Sequence, residues 1–216
     1  MQKESMKNMI KLSFGEEVGN SVSHGVMAAL CLLMMPFSII YSLFTGGLVK
    51  AIGISIYMIS IFLMFLGSCI YHSMEFGSNQ KYVMRKLDHC FIYVAIAGTY
   101  TPILLTTVDG LKAYIILAVE WIAVISGILL TSISKNHHKI LSMILYMVMG
   151  WLAVIIIPTL IKNASLPFFV MILLGGVFYT VGVFFYAKKF PYAHFIWHIF
   201  IVLASISHYV AVVFLM

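Results

Sequence analysis

Near the end of the chain the run HFIWHIF, residues 194–200, places His194 and His198 four apart in an otherwise apolar stretch. On an α-helix, residues four apart differ by about 40° in azimuth and about 6 Å in rise. The two imidazoles therefore share a face and can reach one metal ion, as in other helical zinc sites. The run SCIYH, residues 68–72, repeats the spacing with Ser68 and His72, and KLDHC, residues 86–90, supplies Asp88. Three neutral imidazoles with one open position form a catalytic zinc arrangement, in which the ion lowers the pKa of a bound water to about 7. Asp88 would hold or deprotonate that water. Ser68, one turn before His72, would hydrogen-bond Asp88, the water or a substrate carbonyl, orienting the site from its second layer. Three imidazoles also suit iron, copper or nickel. Because these residues come from distant parts of the chain, everything depends on the elements that carry them.

Those elements lie in a membrane. Of the 216 residues, 62% are hydrophobic and 9% charged, against about 25% charged in soluble domains. A chain of this size keeps much of its surface exposed, so the bilayer is its natural solvent. The net charge of +6 does not indicate nucleic acid, because the basic residues are scattered between apolar segments and form no basic face. Cys31, Cys69 and Cys90 fall in or beside apolar stretches without framework spacing, which argues against disulfides. HExxH, GxSxG, Walker and CxxC motifs are absent from the sequence.

Seven stretches are long enough for a membrane helix of about 20 apolar residues: 19–43, 49–72, 87–107, 112–133, 140–161, 167–187 and 192–215. The expected fold is all-α and polytopic, with a leader over 1–18 and a seven-helix membrane domain over 19–216. The first stretch is long, follows a mixed-charge leader and lacks a small-residue cleavage site, so it reads as a span rather than a signal peptide. TGG, EFGSN, VDG, KNHHK and KNAS mark short connections, and Pro36 and Pro102 are expected to kink their spans. Ten basic residues fall on one side (Lys3, Lys7, Lys11, Lys81, Arg85, Lys86, Lys135, Lys139, Lys188 and Lys189) and three on the other (Lys50, Lys112 and Lys162). The positive-inside rule then predicts a cytoplasmic N-terminus and an outer C-terminus, in a plasma membrane.

With that topology, Ser68 and His72, Asp88, His194 and His198 all fall at the inner-leaflet level, together with Glu17, Asn20 and His24. Ionisable groups inside spans are costly and point to function. His89, about 100° from Asp88, faces elsewhere. His137 and His138 read as solvated loop residues. His208, about 15 Å deeper than His198, reads as a packed polar residue, and Cys69 as a small packing residue. His24 has two readings, interface packing or a site-lining role. Glu120 lies about 20 Å from the polar layer and is expected to be protonated or paired with a polar group in a span.

Over residues 13–215 the chain resembles the haemolysin III family, the bacterial branch of the progestin and adipoQ receptor superfamily that includes the adiponectin receptors. The resemblance rests on SCIYH ending span 2, Asp88 opening span 3, HFIWH opening span 7, and the leading EEVGNSVSHGV. It implies that His72, His194 and His198 ligate Zn²⁺, with Asp88 and Ser68 as the water-holding pair. It further implies kinship with membrane hydrolases that cleave lipid amides, ceramidases among them, and a part in lipid homeostasis. Membrane lipids are the expected partners and a lipid amide or ester the expected substrate. Two other functions compete: a non-enzymatic lipid sensor in which zinc clamps spans 2 and 7, and a channel or membrane-lysing protein. The polar cluster on one side, with little but Glu120 and His208 deeper in, argues against a conducting path.

Overall fold

The computed structural model describes residues 11–133 and 139–216; His137, His138 and most of the leader lie outside the described residues. The described chain is helical and contains no strand. In order, α1 is Phe14–Ser73, α2 Asn79–Thr106, α3 Leu111–Ile133, α4 Lys139–Trp151, α5 Ile157–Asn163, α6 Leu166–Tyr186 and α7 Ala193–Val210. A 3₁₀ turn, Leu152–Ile155, joins α4 to α5, and a π turn, Ala211–Leu215, prolongs α7. Among the described residues six helical runs, with α4 and α5 counted as one, are long and apolar enough to cross a membrane.

Helix α1 cannot be one crossing. Its 60 residues would reach about 90 Å if straight, three times the hydrocarbon thickness. Gly47 breaks it, with φ 73° and ψ −171°. This is a region of backbone space that essentially only glycine occupies. The two arms fold back on each other: the Ser21 hydroxyl lies 2.7 Å from that of Ser73 and 3.2 Å from the Cys69 carbonyl. The TGG connection is thus a break at one residue, not a loop.

Helices α1 and α2 also start earlier than apolar content suggests. Ser13 and Glu16 form a reciprocal capping box at the head of α1. The Ser78 hydroxyl caps α2 by accepting from the Lys81 N–H at 3.1 Å, so the polar run NQKYVMRK is already helical. Pro36 and Pro102 lie within helices without interrupting them. The interruption comes instead in the fifth predicted span, immediately before Pro158, which sits at the head of α5. Proline has no N–H to donate and its ring clashes with the carbonyl four residues back. Inside a bilayer the freed carbonyls need protein donors. The Tyr100 hydroxyl serves Met149 and Gly150, at 3.0 and 2.7 Å, and Lys112 serves Ile155 at 2.7 Å.

The main core lies between the second arm of α1, α2, α6 and α7, with Tyr57, Met58, Phe65, Phe168 and Val212 fully enclosed. Lipid tails are as apolar as leucine, so the helices gain little from hiding apolar surface from one another. Close packing and hydrogen bonds hold them instead. Gly98 on α2 lies against the Ser60 side chain of α1, where a Cβ would collide with it. The Ser38 and Tyr209 hydroxyls meet at 2.9 Å and tie the first arm of α1 to α7. Leu33, Ile122, Leu129 and Phe184 are among many large apolar residues left facing outward, an exterior suited to lipid.

Candidate metal centre

The heads of α1, α2 and α7 and the tail of α1 come together at one end of the bundle. His72, in the last turn of α1, and His194 and His198, in the first two turns of α7, offer one nitrogen each, all within 4.8 Å of one another. The Nε2 atoms of His194 and His198 are 3.2 Å apart. Two nitrogens bound to one tetrahedral ion at 2.0–2.1 Å would stand about 3.3 Å apart, so this pair is already spaced for a shared ion. His72 Nε2 is buried and has no hydrogen-bond partner among the described residues. A buried imidazole nitrogen left unsatisfied is costly, and a metal ion would satisfy it. Three histidines thus lie close enough to bind a metal ion.

Asp88 and Ser68 are buried beside this cluster. Ser68 is placed to hydrogen-bond the Asp88 carboxyl, and His72 and Arg85 lie within electrostatic reach of it. The five residues singled out from the sequence therefore meet, although their sequence positions span more than half the chain. His24 joins them: its ring stacks on His198, centroids 3.8 Å apart, and meets Phe65 edge-on at 5.0 Å. Its nitrogens are outside the group in reach of an ion, so it forms the wall behind His198.

Elsewhere the remaining polar residues separate from the site. His89 is not in the cluster; its backbone carbonyl accepts from Tyr146 at 2.9 Å. His208 contacts the Ile172 carbonyl at 3.1 Å, a packed polar residue as expected. Cys69 packs against Gly25 and lies outside the metal-competent group. Glu120 is fully enclosed and neither carboxyl oxygen has a hydrogen-bond partner. The expected pairing with a span polar group is therefore not found among the described residues.

Three contacts escape sequence reasoning. Glu17 bridges two helices, with Oε2 2.6 Å from His72 Nδ1 and Oε1 2.7 Å from Lys81 Nζ. Lys81, counted above among the ten basic residues of one side, is buried at 1% exposure. The short connection after Ser73 brings the first turn of α2 back against the end of α1, so Lys81 also donates to the Met74 and Tyr71 carbonyls, at 3.1 and 3.3 Å. The third contact is Glu16 Oε1, which accepts the Tyr192 N–H at 2.7 Å. Tyr192 immediately precedes α7 and has φ 63°, an outlier for a bulky side chain. The other oxygen of Glu16 serves the capping box at the head of α1.

An apolar cavity of about 170 Å³ adjoins the centre, lined by Ile96, Tyr100, Tyr146, Ile172, Trp197 and Ile201 among others. Trp197 separates the two, its ring 4.9 Å from that of His194 and 5.1 Å from that of His198.

The chain as a whole is similar to known proteins. The family model described as "Haemolysin-III related" matches residues 12–209. The "Hemolysin-3 homolog" of Bacillus subtilis (strain 168) is 34% identical over 200 residues, covering 92% of this chain and 93% of its own. "Hemolysin-3" of Bacillus cereus is also 34% identical, covering 92% and 91%. The human "Monocyte to macrophage differentiation factor" is 26% identical over 166 residues, covering 73% and 67%. A match of this extent, on a helical chain built to face lipid, leads to one conclusion: the chain belongs to the haemolysin III family of multi-pass membrane proteins, within the progestin and adipoQ receptor superfamily.

Proposed function

We propose that this protein is a zinc-dependent intramembrane hydrolase that cleaves an amide or ester bond of a membrane lipid. The observation that carries the reading is a three-histidine cluster, flanked by Asp88 and Ser68, that shares the Trp197 wall with an apolar cavity. In this reading the break at Gly47 divides α1 into two spans. The chain then crosses a plasma membrane seven times, N-terminus inside, and the site lies at the inner headgroup level, where a lipid's amide or ester linkage sits.

His72, His194 and His198 would hold the zinc. Bound there, zinc supplies Lewis acidity, which polarises a carbonyl and acidifies water. Asp88 acts as the general base, its carboxylate taking a proton from the attacking water. As the carbonyl carbon gains its bond to that water's oxygen and loses its bond to nitrogen, Asp88 returns the proton to the departing amine. An ester follows the same course with an alcohol leaving. Ser68 orients the Asp88 carboxyl through its hydroxyl, and the cavity beyond Trp197 takes an acyl chain.

The purified chain, reconstituted with N-acyl and ester lipids, is to be assayed for fatty-acid release. Asp88→Ala should lower the rate by about 10²–10⁴-fold, the usual range for removing a general base, and chelation should abolish turnover. Full activity in His194→Ala or in metal-free protein would refute the mechanism. Stoichiometric zinc without turnover on any lipid would leave the ion as a clamp between α1 and α7.

A further inference from the structure

We infer that Glu17, seated by Lys81, is the positioning residue that fixes the tautomer of His72 and aims its Nε2 at the metal. The inference rests on the metal centre above, not on the hydrolytic chemistry.

Lys81 has three ammonium protons and three acceptors around it: Glu17 Oε1 at 2.7 Å, the Met74 carbonyl at 3.1 Å and the Tyr71 carbonyl at 3.3 Å. Its side chain is 1% exposed. A buried ammonium is tolerated only beside an opposite charge, so Glu17 is anionic here. An ionised carboxylate only accepts hydrogen bonds. The 2.6 Å contact between Glu17 Oε2 and His72 Nδ1 therefore places the ring proton on Nδ1. A neutral His72 then has its lone pair on Nε2, the atom that is buried and without a hydrogen-bond partner among the described residues, on a ring whose centroid lies 5.2 and 4.9 Å from those of His194 and His198.

The anchoring is rigid because both ends of the couple are tied to helix termini. Glu17 lies in the first turn of α1, and Lys81 closes the last carbonyls of the same helix from the first turn of α2. A carboxylate, a histidine and a metal in line is how proteins orient ligating imidazoles and raise their basicity. Asn20 Nδ2, at 3.5 Å from the same Nδ1, is too distant to take over this role.

The test uses the full chain in lipid nanodiscs and two readouts that need no turnover. In metal-free protein, nitrogen-15 NMR of the histidine rings should show His72, identified by the signal lost in His72→Gln, as the Nδ1–H tautomer. Zinc affinity, measured against a chromophoric chelator, should fall about 10–100-fold in Glu17→Gln, the usual cost of losing such a partner. The double variant Glu17→Ala/Lys81→Met removes both charges and so leaves no lone buried ammonium. It should show the same loss with helicity unchanged. An Nε2–H tautomer in the parent, or zinc affinity within about threefold of the parent in the folded double variant (well short of that cost), would overturn the inference. The tautomer is read on the parent chain, so the test stands even if a variant does not fold. Absence of lipid cleavage by a zinc-loaded parent would count against the hydrolase alone.

Discussion

Glu16 offers the sharpest test of how the centre is assembled, because one side chain joins the head of α1 to the head of α7. Its Oε1 accepts the Tyr192 N–H at 2.7 Å, and its Oε2 accepts from the Ser13 N–H and hydroxyl at 3.3 and 3.1 Å. A hydrogen bond to a charged group contributes about 1.5–3 kcal/mol, and losing half of a capping box costs about 0.5–1 kcal/mol more. Glu16 is only 7% exposed, so solvent screening removes little of this. Glu16→Ala should therefore destabilise the protein by about 2–4 kcal/mol. Glu16→Gln keeps an acceptor but loses the charge, and should cost about half as much. The consequence reaches the metal. Tyr192 occupies a left-handed conformation that costs about 1–2 kcal/mol for an L-residue, and the Glu16 contact holds it there. Without that contact the first turn of α7 is free to relax, and His194 lies in it. Reversible unfolding in mixed micelles, followed by tryptophan fluorescence, measures the first effect, and zinc affinity the second. A Glu16→Ala variant within about 0.5 kcal/mol of the parent, with unchanged zinc affinity, would refute the reasoning, since surface-like substitutions stay within that range.

Elemental analysis should find one zinc per chain in the parent and little in His72→Ala, His194→Ala or His198→Ala, whereas His89→Ala and His208→Ala should keep it; equal metal in all five would remove the centre. Gly47→Ala should destabilise by about 1–3 kcal/mol through backbone strain alone, because a Cβ there meets no neighbour; equilibrium unfolding with no measurable change would mean the break is not constrained. Glu120→Leu should raise stability by about 1–3 kcal/mol, by removing two buried oxygens without partners; a loss of stability in the same unfolding assay would reveal a partner for that carboxyl.

Much of this protein is legible without coordinates, and the reason is the solvent. A bilayer forces each crossing to satisfy its own backbone, so length and apolar content identify helices directly. The segments from 49–72 to 192–215 correspond to observed helical runs, with ends displaced where polar residues such as Asn79 to Lys86 continue a helix. Side chains that cannot live in hydrocarbon also stand out, which is why His72, Asp88, His194 and His198 could be chosen by type, spacing and depth. Periodicity and depth, however, say nothing about which helix lies beside which. Only the tertiary structure brought Lys81, which lies between two predicted spans, into a buried pair with Glu17, laid His24 on His198, joined Glu16 to Tyr192 and left Glu120 without a hydrogen-bond partner among the described residues. Each of these depends on the direction of one side chain across a helix interface. That direction is decided by close packing between neighbours, which a single strand of sequence does not contain.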